Sequence, residues 1–271
     1  MTIEETDHLS SIVDDEPSLI PEREREQLEK GTRRRHDRGP RLTARDVICL
    51  LWIAHQFAIR LDQLQRLLLR HTPERDRVKV KPGTDRLSLE RTYDTLERWR
   101  ALGLIEHGTI LHGDRLWTWL SRAGLREIGA PFAYSKGQPA SVRVPHLYYV
   151  NQVRLAVEEK RSQDTWKSER EIRRELGRPM KGEQQPHVPD AILYATNGKI
   201  TAIEVERRLK DEGILEETLR TLAMGYRSVW YFASRPAKKK IEILLETFTP
   251  EMRKPFVLYD LGEYGHEYGV S

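Results

Sequence analysis

HVPDAILYATNGKITAIEVERRLK, residues 187–210, carries two strand patterns around one turn. Residues 191–195 (AILYA) read as one β-strand and residues 200–206 (ITAIEVE) as a second. Thr196-Asn197-Gly198-Lys199 between them is a tight turn, where an Asn-Gly pair supplies the positive φ a short hairpin needs. Side chains alternate along a strand, so Ile203 and Val205 point one way while Glu204 and Glu206 point the other. Like charges adjacent on one strand face repel, and a divalent cation between them gives a reason for the pair. Asp190 opens the first strand behind Pro189 and lies across the hairpin. Asp190, Glu204 and Glu206 then converge on one point, with Lys210 a few residues on. Carboxylate oxygens of this kind suit Mg²⁺ or Mn²⁺. The plainer reading, an edge strand protected from aggregation by charge, explains neither Pro189-Asp190 nor His187.

Pro189-Asp190 followed by Glu204-Val205-Glu206 resembles the PD-(D/E)xK nuclease signature, with Glu206 standing where the usual lysine would be. Some restriction enzymes of that fold carry Glu-x-Glu and cleave DNA. The longer string, His187-x-Pro189-Asp190, Glu204-Val205-Glu206 and Lys210, is similar to the replication-relaxation proteins of plasmids, phages and integrative elements. Those proteins pair an amino-terminal winged helix with a domain carrying this motif. The resemblance runs from about residue 42 to 259, and its specific part is 187–210. It implies that Asp190 and Glu204 hold the metal, and that Glu206 holds metal or acts as general base. Lys210 would steady the negative transition state from a displaced position. His187 would contact a phosphate or orient Asp190. Glu169 would add the acidic residue that such nucleases often draw from the preceding element.

Composition narrows the classes. The chain has 271 residues, room for two ordinary domains. Hydrophobic residues make up 38% and charged residues 32%, which fits a modest core under a heavily charged surface. The net charge is only +4, but acidic residues dominate the first sixteen positions and arginines dominate the stretch after them. The single cysteine, Cys49, lies in an apolar helical run, so neither a disulfide framework nor a Cys-rich zinc site is expected. A reducing cytoplasm is the simple expectation. No run is apolar and long enough to span a membrane. No Gly-rich phosphate loop is present, which argues against nucleotide hydrolysis.

Residues 1–41 read as a mobile charged tail that ends in an arginine arm, including Arg33, Arg34 and Arg35. Such an arm beside a DNA-binding module lies along phosphates or enters a minor groove; a solvated basic linker is the plainer reading. Residues 42–130 read as a winged helix-turn-helix. Thr43 caps the first helix, with Asp46 in the capping-box position. A second helix follows at 62–69 and a third at 89–102, capped by Ser88 and stopped by Gly103. Leu89, Tyr93, Leu96, Trp99 and Leu102 are its expected apolar stripe. A wing turns at His112-Gly113-Asp114, between 109–111 and 116–120. In this fold the third helix enters the major groove. Arg86, Arg91, Thr95 and Arg98 are the candidate groove or phosphate contacts, joined by wing residue Arg115 and loop residues Lys79 and Lys81.

Residues 131–145 read as a linker and 146–271 as the second domain. Its expected order is a helix at 147–160, a strand at 165–169, a helix at 170–176, the hairpin, a helix at 212–226, a buried strand at 228–233, a helix at 238–248 and a strand at 255–259. The expected fold class is therefore α+β: a winged helix followed by an α/β restriction-endonuclease-like domain with a mixed central sheet. Two functions are expected from it. One is a DNA-binding protein of a mobile element that cuts or nicks DNA by metal-dependent phosphodiester hydrolysis. The other is a non-catalytic factor in plasmid replication, mobilisation or transcriptional control. Double-stranded DNA and other proteins of the element are the expected partners, and winged-helix regulators often dimerise.

Overall fold

The computed structural model describes residues 41–77, 83–177 and 187–264. Lys79, Lys81, Arg33, Arg34 and Arg35 lie outside the described residues.

The first half begins with α1 (Ala44–Gln56). Thr43 and Asp46 close the expected capping box: the Asp46 amide donates to Thr43 Oγ1, and the Thr43 amide donates to the Asp46 carboxylate. Strand β1 (Ala58–Arg60) and helix α2 (Leu61–Arg70) follow, then the short α3 (Glu74–Arg77) and α4 (Leu89–Ala101). Ser88 caps α4, and Gly103 at φ 69° ends it, as expected. Strands β2 (Ile105–Gly108) and β3 (Trp117–Leu120) precede α5 (Arg122–Glu127). The three strands form an antiparallel sheet in the order β1-β3-β2. Residues 109–111, expected as strand, carry no ladder; Ile110 and Leu111 instead pack on the apolar cluster beneath.

Helix α4 is rotated from the expected stripe. Leu89 and Tyr93 are exposed, while Thr92, Thr95, Leu96 and Trp99 are buried. Threonines can occupy the inner face because their hydroxyls are satisfied within the helix. Thr92 Oγ1 donates to Ser88 O, and Thr95 Oγ1 donates to Arg91 O.

The second half starts earlier than expected, with α6 (Val144–Lys160), because Pro145 fits the first helical turn. Strand β4 (Thr165–Ser168) and α7 (Glu169–Leu176) lead to β5 (Ala191–Tyr194) and β6 (Ile200–Glu206). In the turn between them only Gly198 takes a positive φ; Asn197 caps the Lys199 amide with its side chain. Then come α8 (Glu212–Gly225), β7 (Val229–Ala233), α9 (Arg235–Glu246), α10 (Pro250–Arg253) and β8 (Phe256–Asp260). The sheet is mixed, in the order β4-β5-β6-β7-β8. Its first three strands are antiparallel, and β6, β7 and β8 run parallel.

The two halves share their interior, and α6 is the reason. It is buried on most of its circumference: Tyr148, Tyr149, Val150, Asn151, Gln152, Val153, Arg154, Leu155 and Val157 are all covered. Leu155 joins the core of the first half, while Val150, Val153 and Val157 join a cluster that also holds Ala58, Trp117 and Trp119. Polar bonds pin the contact. Gln63 donates to Tyr148 O at 2.8 Å, Asn151 donates to Ala58 O at 2.9 Å, and Trp52 donates to Glu158 at 2.8 Å. The stretch expected as a linker carries Phe132 into the first core. Among the described residues, no helix is long and apolar enough to cross a membrane.

Candidate functional site

The pairing of β5 with β6 ends at Ala191, opposite Ile203. The next residue back, Asp190, extends the ladder with its side chain: Oδ2 accepts the Val205 amide at 2.8 Å. Its other oxygen, Oδ1, lies 2.8 Å from His146 Nε2, in the first turn of α6. One carboxylate is thus fixed at both oxygens by two different elements.

Glu204 and Glu206 share a face of β6, as their spacing requires, and both are buried. Glu204 Oε1 meets His187 Nε2 at 2.6 Å. Glu206 Oε2 meets Lys210 Nζ at 2.6 Å. Tyr231 stands beside Glu204 in the parallel β6–β7 register, fully buried, with a hydroxyl that has no hydrogen-bond partner among the described residues. Each of the three carboxylates is thus paired with one basic side chain.

The electrostatics separate the carboxylates. Burial would raise Asp190, but the His146 charge, the His146 hydrogen bond and the Val205 amide outweigh it and hold the carboxyl below its ordinary value. Burial pushes Glu204 up to about 7; the His187 bond opposes the shift, and the Asp190 charge reinforces it. His146 is raised to about 9, chiefly by the Asp190 charge. His187 is raised by its bond to Glu204. Burial would lower Lys210, but its contact with Glu206 and the charges of Glu204 and Asp190 raise it.

The sequence pairs His187 with Asp190 or a phosphate; the structure gives it Glu204, and His146 takes the Asp190 role. Nothing local in the sequence marks His146: it sits 44 positions before Asp190 and meets it only through the α6–β5 packing. Glu169 begins α7. Its amide donates to Asp190 O at 3.0 Å, and its carboxylate pairs with Arg173 at 2.6 Å. Glu169, His146 and Asp190 line one cleft of about 760 Å³ between the halves.

The oxygen donors of Asp190, Glu204 and Glu206 fit a hard divalent ion, and Glu206 Oε2 has no well-formed hydrogen bond despite its nearness to Lys210. Their present arrangement is three ion pairs: among the described residues, no group of three His, Cys, Asp or Glu side chains is arranged to hold a metal.

The expected DNA contacts divide. Arg115 is exposed on the turn between β2 and β3, Arg91 is half-exposed on α4, and Arg86 is exposed but paired with Asp85 at 2.9 Å. Two expectations are corrected. Thr95 is buried and bonded within its helix. Arg98 is tied to the fully buried Asp46 carboxylate at 2.5 Å, so its charge serves the interior. The outer face of α4 instead presents Glu90, Asp94 and Glu97 beside Tyr93 and Arg100. Compared with protein-family models, with curated proteins and with solved structures, the chain matches none.

Proposed function

We propose that this is a DNA-binding protein of a plasmid, phage or integrative element, with a divalent-metal-dependent phosphodiester-hydrolysing site in its second half. Leaving aside the four-residue α3, the order helix, strand, helix, helix, hairpin, helix, with the sheet order β1-β3-β2, supports a winged helix in the first half. The second half runs helix, strand, helix, antiparallel hairpin, helix, parallel strand, two helices and a last parallel strand; apart from α7, inserted between β4 and β5, that order supports a restriction-endonuclease-like core.

One observation carries the reading. Lys210 brings a cation to the carboxylate cluster from four residues beyond Glu206, and its charge is felt by both Asp190 and Glu204. The lysine missing from its usual place is supplied from another. In this reading Asp190 and Glu204 would hold the ion, which would supply Lewis-acid polarisation of a phosphate and a more acidic water. Glu206 accepts the proton of the attacking water at a carboxylate oxygen. Lys210 faces the negative charge that develops on phosphate. His146 and His187 fix the orientation of Asp190 and Glu204.

The test is incubation of supercoiled, linear and single-stranded DNA with the protein and Mg²⁺ or Mn²⁺, with Asp190→Ala and Glu204→Ala in parallel. Cleavage lost in both variants supports the site. A second reading, a DNA-binding factor without cleavage, is favoured by the one-to-one pairing of the three carboxylates with His146, His187 and Lys210, which balances the buried charge without an ion. Duplex binding by the wild type with no cleavage under any of these conditions selects it.

A further inference from the structure

Tyr231 shares a sheet face with Glu204 and Glu206 and has no part in the proposed hydrolysis. In the parallel register it stands opposite Glu204, and Ala233 stands opposite Glu206. Its ring packs in the apolar cluster of Leu215, Leu219 and Leu222 on α8 and Ile241 on α9. A phenylalanine would fill that place. The hydroxyl that tyrosine adds is buried and has no hydrogen-bond partner among the described residues. A buried donor left unpaired destabilises the fold, so its presence calls for a reason. Burial, and then the charges of Glu204, Glu206 and Asp190, push the phenol well above its ordinary value, so it stays a neutral donor.

The matching acceptor is Glu206 Oε2. It is buried and has no well-formed hydrogen bond, although Lys210 Nζ lies 2.6 Å away. The other oxygen, Oε1, accepts only the Arg208 amide, at 3.4 Å. Ala233 brings no more than a methyl group to the β7 position facing Glu206, too small to screen it from the Tyr231 ring. An unpaired donor and an unpaired acceptor thus stand on neighbouring strands.

Hydrolysis makes two demands on Lys210. It neutralises Glu206 in the structure, and it faces phosphate during the reaction. Lys210 is half-exposed on the segment between β6 and α8, and its four-carbon stem is flexible enough to turn. As it turns, Glu206 loses its nearest cation, and a buried carboxylate without a partner is strongly destabilised. We propose that Tyr231 is a positioning residue for Glu206: when Lys210 turns to phosphate, Tyr231 Oη donates to Glu206 Oε2 and leaves the other oxygen to the attacking water. The reaction step rests on the hydrolytic reading; the unpaired hydroxyl and the unpaired carboxylate oxygen do not.

The test has two arms on full-length protein. The first is thermal melting in EDTA, without DNA, of the wild type, Tyr231→Phe, Lys210→Met and the double variant. Lys210→Met takes the cation from Glu206 and reproduces its released state; Lys210→Ala replaces it if that variant does not fold. Tyr231→Phe should raise the melting temperature of the wild type by roughly 2–4 °C, because it removes an unpaired donor. In the Lys210→Met background it should lower the melting temperature by a similar amount, because there the hydroxyl is paired. The second arm is cleavage of supercoiled DNA in Mg²⁺. Tyr231→Phe should lower kcat by about 10–100-fold with KM for DNA unchanged, the loss typical of a group that orients an active-site carboxylate. Equal melting shifts in the two backgrounds overturn the pairing. Opposite shifts in a protein that never cleaves DNA leave the Tyr231–Glu206 pairing standing and end the hydrolytic reading. Cleavage that needs Asp190 and Glu204 but not the Tyr231 hydroxyl keeps the hydrolytic reading and overturns this one.

Discussion

His146 Nε2 and Asp190 Oδ1 lie 2.8 Å apart and join the first turn of the central helix to the residue that opens the hairpin. The other Asp190 oxygen is held by the Val205 amide, so His146 fixes the remaining freedom of that carboxylate. Replacing a residue that orients a metal-binding carboxylate typically costs about 10–100-fold in activity. His146→Ala is therefore expected to lower Mg²⁺-dependent cleavage by that order while leaving duplex affinity unchanged, with partial recovery in His146→Gln. Gel-based cleavage rates and a mobility-shift assay on the same preparations check it. Equal rates in wild type and His146→Ala would remove His146 from the site.

Arg98 should behave as a stability residue. Asp46 is fully buried and depends on it, at 2.5 Å. Arg98→Ala leaves the buried carboxylate with the Thr43 capping bonds and Arg45 at 4.0 Å, so the loss falls below the about 3–5 kcal/mol typical of a wholly unpaired buried charge. Urea unfolding should show that loss, and Asp46→Asn in the same chain should return part of it. Duplex affinity of the folded fraction should stay within a few tenths of a kcal/mol of wild type, the range of a substitution away from the contact. A selective loss of DNA affinity with unchanged stability would restore Arg98 to the DNA face.

Glu171 ties the two halves in a pH-dependent way. Burial would raise its carboxyl, but the His55 contact at 2.8 Å and the hydrogen bonds from Ser168 bring it down to about 2. A depressed carboxyl contributes stability that is present above its ordinary value of 4.5 and lost as pH falls toward 2. The term is of order 1–3 kcal/mol for a shift of this size in a mostly covered group. Thermal melts between pH 6 and about pH 3 should fall less steeply for Glu171→Gln than for wild type. Parallel curves would show that the His55–Glu171 contact carries no such linkage.

Exposed arginines of the first half should act through phosphate. Arg91→Ala and Arg115→Ala are each expected to weaken duplex binding across sequences and to reduce the log-affinity against log-salt slope by about one. Fluorescence anisotropy at several salt concentrations measures both. An unchanged slope in both variants would move the DNA contact elsewhere.

The hairpin and its acidic face were legible because they are local. Strand period two puts Glu204 and Glu206 together, and Pro189-Asp190 lies one residue before the pairing begins. Caps at Thr43 and Ser88 were legible for the same reason. The hidden features depend on distant packing. Tyr93 and Thr95 changed places because the inner face of α4 is set by its neighbours and a threonine hydroxyl can turn back on its own helix. Helix α6 is wrapped by both halves, so its sequence carries little amphipathic pattern to read, and the continuous interior it creates could not be seen from a boundary drawn at Pro- and Gly-containing residues. His146 is hidden by the same long-range contact.

The central claim is that Lys210 completes a hydrolytic site from a displaced position. Its direct measurement is the rate at which wild-type and Lys210→Met protein convert supercoiled DNA in Mg²⁺, with duplex affinity followed alongside. Cleavage by the wild type is expected, with a loss of about 10²-fold or more in Lys210→Met, the size of effect seen when one transition-state electrostatic contact is removed, and with affinity retained. Wild-type cleavage that Lys210→Met leaves intact, or no cleavage by the wild type at all, would contradict it.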